Sequence, residues 1–246
     1  MRVSLSGESP FGRKPLLPST AMFTRRTFTF LSDLEKNNRR DWFQANKTRY
    51  EEDALGPLLE FIRAMQPRLE KISPHILASD KKVGGAMMRL NRDVRFSKDK
   101  RPYSPRLGAR FLHAKGKKGG TPGYFIRIER TGCTLGTGIW RPDTKFVASI
   151  RDHIVKDPKA WKSAKGIKAF RDAFGELGGD SLKRPPRGYD ADHPFVEDLK
   201  RKDFVAFCEW KTTPVTKADF PAAVAKAYAS SNKFMAFLCD ALGLPF

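Results

Sequence analysis

From Phe28 onward, apolar residues fall at helical spacing. Phe28, Phe30, Leu31 and Leu34 predict a short helix that stops at Asn37-Asn38. A second helical start follows at Asp41, whose carboxylate can cap the helix end, with Gln44 as the reciprocal partner of a capping box. Phe43, Tyr50, Ala54, Leu58, Ile62, Met65, Leu69 and Ile72 carry the period on. Gly56-Pro57 predicts a break into two helices, because proline suits a first turn and not an interior, and Pro67 predicts a kink in the second.

From about residue 85 the period changes. Ala86 to Leu90 is a short apolar run, a charged stretch follows, and Leu107 to His113 reads as a strand. GYFIRIER (123–130) and CTLGTGIW (133–140) flank Thr131-Gly132, which reads as a two-residue hairpin turn. That turn pairs Tyr124, Ile126 and Ile128 with Ile139, Thr137 and Leu135 on a core face. It sets Phe125, Arg127 and Glu129 opposite Gly138, Gly136 and Thr134 on the other face. Two glycines there predict open space above the sheet, for a helix, a side chain or a ligand. Helical patterns return at 143–155 and 157–174, and Gly178 to Asp192 reads as a loop. Phe204 to Trp210 alternates as a further strand, and a final helix runs from Thr216 or Asp219 to Leu242. The order predicts a single α+β domain over 23–246, with N-terminal helices, a central mostly antiparallel sheet and C-terminal helices. Residues 1–22, rich in Pro, Ser and Gly and without an apolar period, read as a disordered extension.

Composition adds the sign of the charge. The 246 residues carry 47 Lys and Arg against 27 Asp and Glu, a formal net charge of +20. Such a field draws anions, either phosphate polymers or phosphorylated small molecules; a generally basic proteome is the bland alternative. The excess is clustered: residues 81–118 hold thirteen Lys and Arg against only Asp93 and Asp99. Cys133, Cys208 and Cys239 are scattered and odd in number, which argues against a disulfide framework or zinc ribbon and fits a reduced, cytoplasmic setting. No stretch has the length of a signal peptide's apolar core or of a membrane span. The four histidines show no metal-binding spacing, and Asp190, Asp192 and His193 read as a polar loop capping the next helix, so neither a metal nor a cofactor is expected. No GxSxG elbow or Walker loop occurs; AKGKKGG (114–120) lacks the final Gly-Lys-Ser/Thr.

The candidate chemistry lies in RDVRFSKDKRPYSPR (92–106). Arg92, Arg95 and Arg101 present planar forks suited to phosphate or carboxylate oxygens. Lys100 adds charge, and Phe96 and Tyr103 offer surfaces on which a base or sugar can stack. Asp93 and Asp99 either hold the guanidiniums in place or supply an acid/base. The competing structural reading is a web of Arg–Asp pairs that pins a long loop. Arg127, Gly136, Gly138 and Trp140 on the hairpin are the expected second wall of the site.

Four separated stretches occur in this order: FLSDLEKNNRRDWFQANKTRY (30–50), MRLNRDVRFSKDKRPYSPRLGARF (88–111), GIWRPDTKFVASIR (138–151) and RPPRGYDADHPFVEDLKRKDF (184–204). Together they resemble a widespread, mainly bacterial family, domain-of-unknown-function 2461, over roughly Phe23 to Leu242. The resemblance implies no activity, cofactor or catalytic residue. It places Asn37, Asn38, Trp42, Phe43, Tyr50, Arg92, Asp93, Arg95, Phe96, Lys100, Pro102, Tyr103, Gly138, Trp140 and Arg151 at motif positions.

The expected function is binding of an anionic, phosphate-bearing ligand through the Arg-rich segment 89–110, with nucleic acid the leading candidate. The alternative is an enzyme acting on a phosphorylated or anionic small molecule, with Asp93 or Asp99 as acid/base. The absence of a recognisable nucleophile–base pair favours binding.

Overall fold

The computed structural model describes residues 21–81, 84–116 and 120–246. The expected extension therefore lies outside the described residues except for its last two, of which Met22 packs on the core. Lys117, Lys118 and Gly119 of the lysine-glycine run also lie outside the described residues.

The chain opens with α1 (Arg25–Lys36), capped by Thr24, whose hydroxyl accepts the Arg26 N–H while Thr27 returns the bond. It ends at Asn37, as the polar pair predicts. Next come α2 (Arg40–Ala45) and α3 (Lys47–Tyr50). Asp41 is not a cap: it lies in the first turn of α2 and pairs with Arg39, which holds the cap position, so the helix starts two residues earlier. The expected break at Gly56-Pro57 is a π-helical turn over Glu51–Leu55, after which α4 (Gly56–Glu70) carries Pro57 at its start and Pro67 in its interior. The wider turn lets one helical run continue where proline removes a donor.

The sheet is antiparallel throughout, with the strands side by side in chain order. They are β1 (Ile76–Leu77), β2 (Leu107–His113), β3 (Gly123–Glu129), β4 (Gly132–Ile139) and β5 (Phe204–Lys211). Between β4 and β5 the chain forms α5 (Thr144–Lys156), α6 (Pro158–Gly166), α7 (Lys168–Phe174) and α8 (Val196–Leu199). After β5 come α9 (Thr212–Val215), α10 (Phe220–Ala229) and α11 (Asn232–Ala241). The single C-terminal helix expected from the sequence is thus divided at Ser230-Ser231. Ser231 is buried, and its hydroxyl meets both the Tyr228 carbonyl at 2.7 Å and the Thr137 hydroxyl of β4 at 2.9 Å.

The core lies between one sheet face and the helices. Tyr124 of β3 stacks on Tyr228 of α10 at 4.5 Å, Phe111 of β2 meets Phe61 of α4, and Phe204 of β5 meets Trp161 of α6. Beneath them, Asp198 is buried and accepts from Trp161 Nε1, Lys165 and Arg201, so its charge is fully compensated. No helix among the described residues is long and apolar enough to cross a membrane.

The hairpin register differs from the expectation by two residues. Glu129 pairs with Gly132, so Arg130 and Thr131 form the turn, and Phe125 faces Gly136 while Arg127 faces Thr134. Gly132 belongs to the strand because its φ of 145° and close approach to the Trp210 carbonyl seat it in the β4–β5 ladder. A shift of two leaves every side chain on its expected face, so the division into core and open faces holds.

Candidate functional site

The Arg-rich segment is an arm. Met88 and Arg110 exchange backbone bonds with Gly108 and Ala86 along the edge of β2. Farther out, Arg92 N–H donates to Pro102 O and Ser104 N–H to Leu90 O, each at 2.8 Å. The chain thus leaves and returns as a narrow antiparallel pair, as the short spacing between Leu90 and Leu107 requires, with residues 93–101 at the tip.

Its base is apolar. Leu90 and Tyr103 are buried, and Tyr103 stacks on Phe43 with ring centroids 4.3 Å apart. Phe43 also meets Tyr50, which contacts Phe30, so aromatic residues of α1, α2 and α3 hold the arm's root. Tyr103 is therefore no stacking surface for a ligand, because its ring is already covered.

The tip is built from local ion pairs. Arg95 donates to both Asp93 oxygens, Arg101 to both Asp99 oxygens, and Arg92 to Asp99 at 2.7 Å. Lys100 closes the turn by donating to the Val94 carbonyl. Bonds from the Arg95 side chain and backbone hold Asp93 below the usual carboxylate range. The Arg101 side chain and backbone do the same to Asp99, more strongly, with Arg92 adding to the effect. Carboxylates paired in this way suit anchoring. Five cations against these two anions leave the stretch from Arg92 to Tyr103 positive. At its end stands Phe96, 95% exposed, with the Arg95 guanidinium 5.9 Å from its ring centroid.

The hairpin residues do not join this tip. Arg127 lies on the open sheet face beside Glu129, its Nε 2.9 Å from Oε1 but out of line for a hydrogen bond. Gly136 does not leave a vacancy: a Cβ there would fall 2.0 Å from Phe125 Cε1, so the Phe125 ring fills the space. Gly138 is not open either, since a Cβ would lie 2.1 Å from the Phe204 carbonyl, and its φ is 114°. What the open face does carry is a ring cluster of Phe125, Phe207 and Trp140, with centroids 5.5–6.0 Å apart. Sequence alternation placed Phe125 on this face but gave no sign that Phe207 of β5 joins it, or that Trp140, beyond the end of β4, turns back over them.

The four sequence motifs meet in two pairs. Asn38 of the first binds Tyr103 of the second through both backbone groups. Arg141 of the third donates its N–H to Asp203 of the fourth at 2.6 Å, and the buried Arg151 donates to the Arg201 carbonyl. Residues 26–237 match the model of a family described as a conserved hypothetical protein, DUF2461.

The chain belongs to the DUF2461 family. No curated protein and no solved structure matches it. In this DUF2461 chain Asn38, Phe43 and Tyr103 anchor the arm, whereas Arg95 and Phe96 stand out in solvent with no structural task that would hold an apolar ring there. Among the described residues no cluster of His, Cys, Asp and Glu is arranged to hold a metal.

Proposed function

We propose that this DUF2461 protein binds single-stranded nucleic acid, with the arm at 91–104 as the primary contact. The observation that supports this reading is Phe96: a fully presented ring at the end of a basic, covalently continuous arm. Exposing a phenylalanine forgoes about 2 kcal/mol of burial, and a surrounding of arginines gives the ring no apolar partner. A ring flanked by cations is the arrangement used where a base stacks while its phosphate is neutralised. Phosphate contacts position a strand without reading its sequence, so the arm itself confers little base preference.

The test is fluorescence anisotropy with a labelled single strand at low salt. Phe96→Ala is expected to weaken binding about tenfold, the loss of one stacked base. Arg95→Ala and Arg101→Ala are expected to flatten the dependence of log K on log salt by roughly one unit each. Arg95 is 76% exposed and pairs only at the surface, so its loss should leave the melt unchanged. An absence of binding at micromolar protein would reject the polymer reading in favour of a small anionic ligand.

A further inference from the structure

Trp140 and Phe207 of the ring cluster on the open sheet face form one side of a cleft of about 280 Å³. Opposite it stand Arg141 and the 179–180 segment. Asp203, buried between them, accepts the Arg141 N–H at 2.6 Å and the Asp180 N–H at 2.9 Å. One carboxylate therefore ties Arg141 to the 179–180 segment. Arg141 is held with a φ of 49°, the one non-glycine residue among those described with a left-handed backbone. Such a conformation costs on the order of 1 kcal/mol and persists where its surroundings impose it.

Its chemistry is mixed in a particular way. Trp140 is half exposed and Phe207 partly so, which leaves ring surface available. Among the described residues, the carboxylates of Asp180 and Glu209 have no ion-pair or hydrogen-bond partner, and the Arg141 guanidinium has no carboxylate, resting only 5.9 Å over the Trp140 ring. A second hollow of about 410 Å³ adjoins the cleft, sharing Arg127, Thr134 and Glu209 with it. Its far side reaches Arg106, at the foot of the arm. A continuous trough therefore runs from the arm to Trp140; along it Arg106 and Arg127 share Glu129, at 3.5 and 2.9 Å, while Arg141 has no carboxylate.

We infer that this cleft is a nucleobase pocket, taking one base of the strand whose backbone follows the trough. The inference rests on the proposed nucleic-acid reading and adds to it a site that discriminates bases. A planar ring slides against Trp140 and Phe207. Carboxylates only accept hydrogen bonds, so Glu209 and Asp180 select an edge that donates. Guanine offers two parallel donors, N1–H and the 2-amino group, to one carboxylate fork, whereas uracil offers a single N–H between two carbonyl oxygens that the carboxylate repels. The volume, at the lower end of small-molecule pockets, fits a single ring system.

The experiment uses guanosine and uridine monophosphate as free probes, read by tryptophan fluorescence quenching on the whole chain. Guanosine monophosphate is expected to quench saturably, with uridine monophosphate about tenfold weaker or more. Trp140→Leu should abolish the quenching. Glu209→Gln, an exposed and isosteric change, should bring the two probes within about twofold of each other. Equal quenching by the two nucleotides, quenching that survives Trp140→Leu, or none at millimolar probe would overturn the pocket. If a labelled strand fails to bind while guanosine monophosphate saturates, the arm reading falls and the pocket stands. If the strand binds through Phe96 but the free nucleotide does not, the pocket falls alone.

Discussion

Asn38 and Tyr103, separated by 65 positions, are joined by two hydrogen bonds: Asn38 Nδ2 donates to the Tyr103 carbonyl at 2.8 Å, and Asn38 Oδ1 accepts the Tyr103 N–H at 3.0 Å. One amide thereby satisfies both backbone groups of the residue that anchors the arm. Asn38→Ala is expected to leave both half-buried groups unpaired, at a cost of about 2 kcal/mol. In a chain of this length that lowers Tm by roughly 4–8 °C. Asn38→Asp should be nearly as damaging, since a carboxylate cannot donate to the carbonyl. A melt of Asn38→Ala within a degree of wild type would show that the arm is held by the Phe43 stack alone.

The two hairpin glycines should respond differently to substitution. At Gly136 the obstacle is the Phe125 ring, which lies on the half-exposed face and can swing away, so Gly136→Val should cost about 1–3 kcal/mol. At Gly138 the obstacle is the Phe204 backbone and φ is 114°, so Gly138→Ala should cost at least about 3 kcal/mol. Urea denaturation of both variants orders them; the reverse order would contradict this account of the open face.

Burial lowers the pKa of His113, whose Nε2 lies 2.6 Å from the Pro245 carbonyl while Nδ1 accepts the Lys115 N–H. The Pro245 oxygen can only accept, so the neutral ring carries its proton on Nε2, and protonating Nδ1 breaks the bond from Lys115. The stacked His75 ring and Lys115 also oppose a second charge there. With the folded pKa below the ordinary 6.5, the unfolded chain takes up the proton first. Stability should therefore be full above pH 6.5 and fall as pH drops below it. Denaturant midpoints between pH 7.5 and 5 measure this, and His113→Gln should show a shallower decline; equal slopes would remove His113 as the cause.

Burial raises all three thiols, Cys133 and Cys239 to about 12 and Cys208 to about 11. Since the thiolate is the reactive form, iodoacetamide at pH 8 should leave the native protein unmodified and alkylate three sites once denaturant is added. Intact-mass spectrometry counts the additions. Rapid labelling of Cys208 in the native state would mean that β5 opens locally.

The sheet was legible because its strands alternate or run apolar: Leu107–His113 and Phe204–Trp210 emerge within a residue of their observed limits. The hairpin turn was misplaced because Thr131-Gly132 carries a stronger local turn signal than Arg130-Thr131, and only pairing to β5 reveals that Gly132 is already a strand residue. The C-terminal helix was read as one because Ser230 and Ser231 carry no breaker; their effect depends on Thr137, 94 residues away. Charge density located the arm, yet local sequence could not separate the covered Tyr103 from the exposed Phe96. That distinction is made by Phe43 and Asn38, which belong to another motif.

Every neighbouring strand pair is also consecutive in the chain, but β4 waits until residue 204 for its second neighbour. β4 is buried along its whole length, and its outer edge is covered only by β5. During synthesis, the strands up to Ile139 thus emerge from the ribosome with an apolar, hydrogen-bond-hungry edge that stays unpaired while the next 64 residues are made. Nascent chains halted in that interval should cross-pair and aggregate more readily than chains long enough to include β5.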